Sequence, residues 1–307
     1  SAVPLEGRDV AAVVLAAGEG KRMRSRRPKV LHEVAGRSLV GWVIAAAAEG
    51  GVDHVVVVVG NGAEEVRAAL PTDVTSVVQQ QRNGTGHATG IAMSALPDGV
   101  ERVVVMCGDA PIITGEDVRE LIAAHDAGGH DATLLTAVLD DAGSYGRILR
   151  NPDGTLAGVV EARDATPDQL GIAEVNSGLI CFEREALETA LPRVGSDNAQ
   201  GEVYLPDVLP LLEGSIGALV ASDPRVVQGV NNRLELAACG SAIQQRLREE
   251  ALLAGAGMPD PSAVWLEAGV AIGPDTIIHP GTHLRGATTI GAGCEIGPDA
   301  IITDSTV

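Results

Sequence analysis

From Leu266 to Ile302 an aliphatic residue returns at every sixth position: Leu266, Ile272, Ile278, Leu284, Ile290, Ile296 and Ile302. An α-helix repeats every ~3.6 residues and a lone strand about every two, so neither produces this spacing. A left-handed parallel β-helix does, because each aliphatic points inward and three hexads close one triangular coil. Gly273, Gly291 and Gly297 follow three of these positions. Chance periodicity in a glycine-rich tail is a poor account of seven hits in register. The repeat covers about two coils before Val307, and an uncapped solenoid end predicts further chain or a covering partner.

Upstream the pattern changes. Val10–Ala17 is an unbroken apolar run, as a buried parallel strand requires. Further strands are predicted at His54–Val59, Val74–Gln79, Arg102–Cys107 and Ala132–Val138. Helices are predicted at Ser38–Glu49, Ala63–Leu70, Ala88–Leu96 and Glu116–Ala127. This alternation predicts an α/β fold with a doubly wound, mostly parallel sheet, whose ligands sit beyond the carboxyl ends of the strands. Leu234–Ala254 reads as one long amphipathic helix carrying Leu236, Ile243, Leu247 and Leu252, followed by a Gly/Pro hinge. The expected organisation is an α/β domain over 1–233, a linker helix over 234–257 and the partial β-helix over 258–307.

Charge narrows the partners. With 22 basic and 41 acidic residues the net charge is −19, and aromatics make up only 2% of the chain. Such a surface repels nucleic acid and anionic lipid, and it lacks aromatic stacking platforms. Cys107, Cys181, Cys239 and Cys294 have neither CxxC nor metal-site spacing. That pattern, with no apolar signal core and no run of membrane-spanning length, predicts a reduced, cytoplasmic setting.

Against that acidic background, six of the nine residues from Lys21 to Lys29 are basic: Lys21, Arg22, Arg24, Arg26, Arg27 and Lys29. They follow Leu15-Ala16-Ala17-Gly18-Glu19-Gly20 directly after the first strand. Small residues let the backbone approach a phosphate chain, and their N–H groups form an anion nest. The segment is not a P-loop, because Lys21 is followed by Arg22, and it is not a dinucleotide fingerprint, because Met23 replaces the third glycine. A solvated basic loop is the plain alternative. After the third strand comes Gln79-Gln80-Gln81-Arg82-Asn83-Gly84-Thr85-Gly86-His87-Ala88, with amides able to pair with a base edge. After the fourth comes Cys107-Gly108-Asp109-Ala110-Pro111, whose Asp109 suits either a magnesium ligand or a cap for the next helix.

These segments, with Pro28-Lys29-Val30-Leu31, Tyr145–Ile148, Val160–Ala165, Glu174–Gly178, Asn198–Glu202 and Gly229–Arg233, resemble the uridyltransferase part of the bifunctional UDP-N-acetylglucosamine pyrophosphorylase and glucosamine-1-phosphate N-acetyltransferase family. The resemblance runs from Val13 into the hexad tail. It implies a sheet of the nucleotide-diphospho-sugar transferase type and the joining of UTP to N-acetylglucosamine 1-phosphate, with Mg²⁺ as cofactor and pyrophosphate as by-product. In cells this reaction would feed peptidoglycan and lipopolysaccharide precursors.

The resemblance also assigns roles. Leu15, Ala16, Ala17 and Gly18 would contact the nucleotide, and Gln79, Gly84 and Thr85 would recognise uracil. Arg22 and Lys29 would neutralise the phosphates, leaving Arg24, Arg26 and Arg27 a screened, general attraction. Asp109 and Asn231 would hold the metal, with Asn232 as fallback, and Cys107 and Gly108 would line the pocket. Gly146, Glu161, Asn176 and Asn231 would bind the sugar. Departures from the usual pattern are Lys21, Cys107 and Arg163, none of which removes an expected charge or ligand. The family's acetyltransferase residues would lie beyond Val307, so no acetyl transfer is expected of this chain. Trimerisation through the β-helix is expected if enough coils are present. Two other readings stay open: a different sugar-1-phosphate nucleotidylyltransferase, and a non-catalytic trimerising module that only binds nucleotide.

Overall fold

The computed structural model describes residues 9–60 and 62–307, which fall into two compact units. One holds the described residues up to Leu31 with Val40–Gly229; the other holds His32–Leu39 with Val230–Val307. Before the repeats the strands are, in chain order, β1 Asp9–Ala16, the two-residue β2 Glu33–Val34 and β3 Arg37–Ser38, β4 His54–Val59, β5 Thr75–Val78, β6 Val100–Cys107, β7 Ala132–Val138, β8 Arg147–Arg150, β9 Leu156–Val160, β10 Glu174–Glu183 and β11 Ile216–Val220. The helices are α1 Leu39–Glu49, α2 Ala63–Ala69, α3 Thr85–Met93, α4 Gly115–Gly128, α5 Pro167–Leu170, α6 Arg184–Ala190 and α7 Arg233–Leu253.

The first unit is built on a sheet of order β11-β7-β10-β6-β1-β4-β5, with the β8–β9 hairpin attached to β10. β1 lies parallel between β4 and β6, with Val13 opposite Val56 and Val105. Its side chains alternate between two cores. Ala12 and Val14 pack with Val43 and Ala47 of α1 and Leu121 and Ile122 of α4. Ala11 and Val13 pack with Ala88 and Ala92 of α3 and Leu187 and Ala190 of α6. A strand covered on both faces needs an unbroken apolar run, and each large aliphatic buried this way contributes about 1.5–3 kcal/mol.

The sheet is less uniform than the β/α alternation alone suggests. β10 runs antiparallel between β6 and β7. A register break between Asn176 and Ile180 interrupts its apolar period, which hides it from a pattern search. α3 begins at Thr85 rather than near Ala88, because Gly84, at φ +101, ends the preceding backbone there. Thr114 caps α4 through a capping box with Asp117, so Asp109 does not serve as that helix's cap.

α4 also carries a buried base. His125 is fully buried, its Nδ1 lies 3.0 Å from Thr133 Oγ1, and its Nε2 faces Glu183 Oε1 at 3.6 Å. Burial and the Arg102 guanidinium push its pKa down to about 4. Between pH 6.5 and about 4 the unfolded chain therefore binds a proton that the folded chain refuses. Stability from this residue is complete above pH 6.5 and falls with pH through that window, by up to ~1.4 kcal/mol per pH unit. His125→Gln keeps a partner for Thr133 and should flatten the fall in melting temperature between pH 7 and pH 5. An unchanged pH dependence would remove His125 from the account.

In the second unit the hexads form the start of a left-handed parallel β-helix. Leu266 pairs with Leu284 and Leu284 with Ile302, while Ile272 pairs with Ile290 and Ile278 with Ile296. Ile278 and Leu284 are fully buried, with Leu266, Ile290 and Ile296 nearly so. A second inward column, two residues before each aliphatic, includes the buried Thr276, Thr282 and Thr288. Thr276 and Thr288 donate to the Gly291 and Arg285 carbonyls at 2.6 Å, which meets the cost of burying a hydroxyl. The buried stripe of α7 is Cys239, Ile243 and Gln244, while Leu252 stays exposed. Gln244 belongs there because its carboxamide bonds both the N–H and the carbonyl of Leu266, as a neighbouring strand would.

Candidate active site

β1 and β6 are parallel neighbours with Leu15 opposite Cys107, so their carboxyl ends open side by side. There the chain leaves each strand through small residues. Gly108 donates to the Leu15 carbonyl at 2.9 Å, and a β-carbon on it would stand 3.0 Å from that oxygen. The β1 loop turns at Gly20, φ +65, where a β-carbon would lie 2.6 Å from Cβ of Lys29. Only glycine lets the stem of Lys29 lie against the loop at that point.

A cleft of about 290 Å³ occupies this end of the sheet. Its walls bring together Leu15, Ala16, Ala17, Gly18, Lys29, Gln79, Gly84, Thr85, Cys107 and Asp109, ten residues singled out from sequence segments far apart in the chain. Gly108 is buried and is not part of the lining. Arg22 is exposed on the short Lys21–Met23 turn and does not line the cleft. Of the six bases in the loop, Lys29 alone is part of the wall. Glu19 holds Lys21 at 2.5 Å and also pairs with Arg82, which trims the positive charge of the loop.

The central polar contact is the ion pair between Lys29 Nζ and the Asp109 carboxylate. Their side chains are 11% and 22% exposed, so the pair is sheltered but reachable from the cleft. The other carboxylate oxygen faces Gly229, where a β-carbon would stand 3.6 Å away. Cys107 is half-buried beside them. Burial, and then the Asp109 charge, push its thiol up to about 12, so it stays neutral and is no nucleophile.

Across the cleft, Gln79 is buried at 5% exposure and its N–H bonds the Val59 carbonyl at 2.8 Å. Val203 clamps the Gly84 turn: its N–H bonds the Asn83 carbonyl and its carbonyl accepts from Gly86, both at 2.8 Å. Thr85 Oγ1 accepts from the Leu205 N–H at 2.9 Å. Sequence reasoning did not assign Arg82 or Glu202, which also line the cleft. Arg82 sits inside the Gln79–Ala88 run and Glu202 ends the Asn198–Glu202 run, so both were within quoted segments without a distinguishing pattern.

The three sugar candidates of the first unit also meet. The Asn176 N–H bonds the Gly146 carbonyl at 2.9 Å, and a β-carbon on Gly146 would stand 3.1 Å from Glu161 Oε1. Asn176 Oδ1 accepts from the Gly178 N–H at 3.1 Å, and a β-carbon on Gly178 would be 2.8 Å from Cys107 Sγ. This group therefore borders the cleft at Cys107. Burial, with Asp207 and Asp164 nearby, raises the Glu161 pKa.

Asn231 and Asn232 belong to the second unit. Asn232 Oδ1 caps α7 by accepting from the Glu235 N–H at 2.9 Å, while Asn231 gives its backbone N–H to Glu235 Oε2 at 2.7 Å. Among the described residues no group of three His, Cys, Asp or Glu side chains is arranged to hold a metal ion. No helix among them is long and apolar enough to cross a membrane.

Residues 12–173 match the MobA-like NTP transferase domain, and residues 269–304 match the bacterial transferase hexapeptide repeat. The chain is similar to the "Bifunctional protein GlmU" of Streptomyces coelicolor, 46% identical over 98% of this chain and 64% of that protein. The same-named proteins of Mycolicibacterium vanbaalenii and Trichlorobacter lovleyi are 46% and 41% identical, over 98% and 97% of this chain and 63% and 66% of theirs. The chain thus spans just under two thirds of the length of these relatives.

Proposed function

Because the chain belongs to the family of MobA-like NTP transferase domains, we propose that it joins UTP to N-acetylglucosamine 1-phosphate, giving UDP-N-acetylglucosamine and pyrophosphate. The observation that carries this reading is the Lys29–Asp109 pair at the common end of β1 and β6, set between the Gln79–Thr85 wall and the Gly146, Glu161 and Asn176 group.

The chemistry is one in-line displacement. A phosphate oxygen of the sugar phosphate forms a bond to the α-phosphorus, and the bond from that phosphorus to the bridging oxygen of the β-phosphate breaks. The attacking oxygen is already an anion at neutral pH, so no general base is needed. The obstacle is the approach of two anions, and residues that offset charge supply most of the catalysis in such transfers. In our reading Lys29 exchanges Asp109 for the triphosphate, and Arg22, exposed on the same loop, is the second cation. The backbone of Leu15–Gly18 and Gly108 lets the phosphates approach closely. Glu161 and Asn176, with the Gly146 backbone, hold the sugar.

Asp109 fits a hydrated Mg²⁺, a hard cation that keeps water and phosphate oxygens as most of its ligands. When bound, the ion would neutralise and align the phosphates of both substrates. Asn231 is the second ligand that the resemblance names; the oxygen of Asn232 is spent on its helix cap. A homotrimer formed through the hexad repeats is part of the same proposal.

The test is pyrophosphate release by the purified chain with UTP, N-acetylglucosamine 1-phosphate and Mg²⁺, each omitted in turn. Release should require all three. Release without the sugar phosphate would mean simple hydrolysis, and UTP binding without turnover would favour a nucleotide-binding module.

A further inference from the structure

The two ends of the Gln79 carboxamide meet different surroundings. Nε2 lies 3.1 Å from the Gly84 carbonyl oxygen and 3.0 Å from Nδ1 of His87, on the first turn of α3. A carbonyl can only accept, so the amide must turn its NH₂ toward Gly84; the reverse orientation would set two acceptor oxygens against each other. The second amide proton then points at His87 Nδ1, which can receive it only as the unprotonated nitrogen. His87 must therefore carry its ring proton on Nε2. Both amide protons of Gln79 are committed inside the protein. Its Oε1 makes no hydrogen bond among the described residues, and Gln79 is part of the cleft wall.

We propose that His87 is a positioning residue for base selection: it locks Gln79 as a pure acceptor, so that the cleft takes a pyrimidine bearing a ring N–H and rejects one bearing a ring lone pair at that place. Uracil and thymine meet the requirement, whereas cytosine sets an acceptor nitrogen against Oε1. A buried polar group left facing the wrong partner is a strong basis for rejection. The inference rests on the preceding reading that Gln79 faces the base. His87 acts through Gln79 without touching substrate.

The experiment compares kcat/KM for UTP and CTP in the wild-type chain with Mg²⁺ and N-acetylglucosamine 1-phosphate, and in three variants. His87→Asn places an oxygen where Nδ1 stood and should keep the UTP:CTP ratio within about threefold of wild type. His87→Leu removes the acceptor, lets the amide swing, and should lower the ratio at least about tenfold. Both rates come from one preparation, so loss of folded protein cancels from the ratio. An unchanged ratio in His87→Leu, or an equal collapse in His87→Asn, overturns the role of His87. Gln79→Leu separates the two layers. If it leaves the ratio untouched, Gln79 does not read the base and the underlying assignment fails. If it collapses the ratio while His87→Leu does not, only the present proposal fails. Nitrogen-15 NMR of the wild-type imidazole gives a readout free of substitution: the Nε2–H tautomer is expected, and an Nδ1–H tautomer refutes the lock.

Discussion

Replacing Asp109 by alanine should lower turnover in the pyrophosphate-release assay by roughly 10²–10³-fold, while UTP affinity measured without metal stays level or tightens. The asymmetry follows from the Lys29–Asp109 pair. In the free protein the carboxylate neutralises Lys29. Once it is gone, the ammonium is left without that counter-charge at 11% exposure, and a bound triphosphate becomes its natural partner. Binding of the polyanion therefore loses a competitor. The reaction loses the carboxylate that our proposal gives to the metal. The free variant should also melt lower than wild type and recover part of the difference when UTP is added. Calorimetric titration with UTP and a Mg²⁺ series for turnover check both halves. Metal-dependent turnover at the wild-type rate would eliminate Asp109 as a ligand, and weakened metal-free binding would show that the pair does not compete with nucleotide.

Gly84→Ala should be the most damaging single methyl in the cleft. Gly84 sits at φ +101, and its β-carbon would stand 2.4 Å from the Val203 carbonyl oxygen and 2.8 Å from the Val203 nitrogen. Both neighbours are main chain, and both are engaged in the clamp with Asn83 and Gly86. No rotamer change relieves the overlap, so the clamp must open. Backbone strain and the lost hydrogen bonds together cost about 3 kcal/mol or more, equivalent to a fall in melting temperature of roughly 6–12 °C. The Gly84 carbonyl that holds Gln79 moves with the turn, so KM for UTP should rise at least about tenfold. Gly18→Ala is the control. Its β-carbon would meet nothing nearer than Lys29 Cε at 3.9 Å, and its melting temperature should match wild type. Equal melting of the two variants would show that close approach is not what reserves position 84 for glycine.

Much of the scaffold is legible along the chain. The predicted His54–Val59 and Ala132–Val138 strands coincide with β4 and β7, and the predicted Leu234–Ala254 helix differs from α7 by one residue at each end. These segments have one dominant period and clear boundaries, which is when local pattern suffices. β10 was not legible, because Ser177 and Gly178 break its alternation at the register shift near Cys107. The threonine column of the β-helix was not legible either, since a buried threonine looks polar until its hydroxyl is seen bonded to a carbonyl.

The sequence by itself determined the β-helix register, the order of the five longer strands and four helices up to Val138, and the presence of a small-residue, basic loop after β1. Each depends on residues within a few positions of one another, so chain spacing carries the information. Only the tertiary structure decided which base in that loop stands in the cleft, which asparagine oxygen is spent on a helix cap, and which way the Gln79 amide points. Lys29 meets a carboxylate 80 residues away, and Thr85 receives an N–H from 120 residues away. Charge and hydrogen-bonding capacity are written into the side chains, but the partner that uses them is chosen by which strand ends the sheet sets side by side.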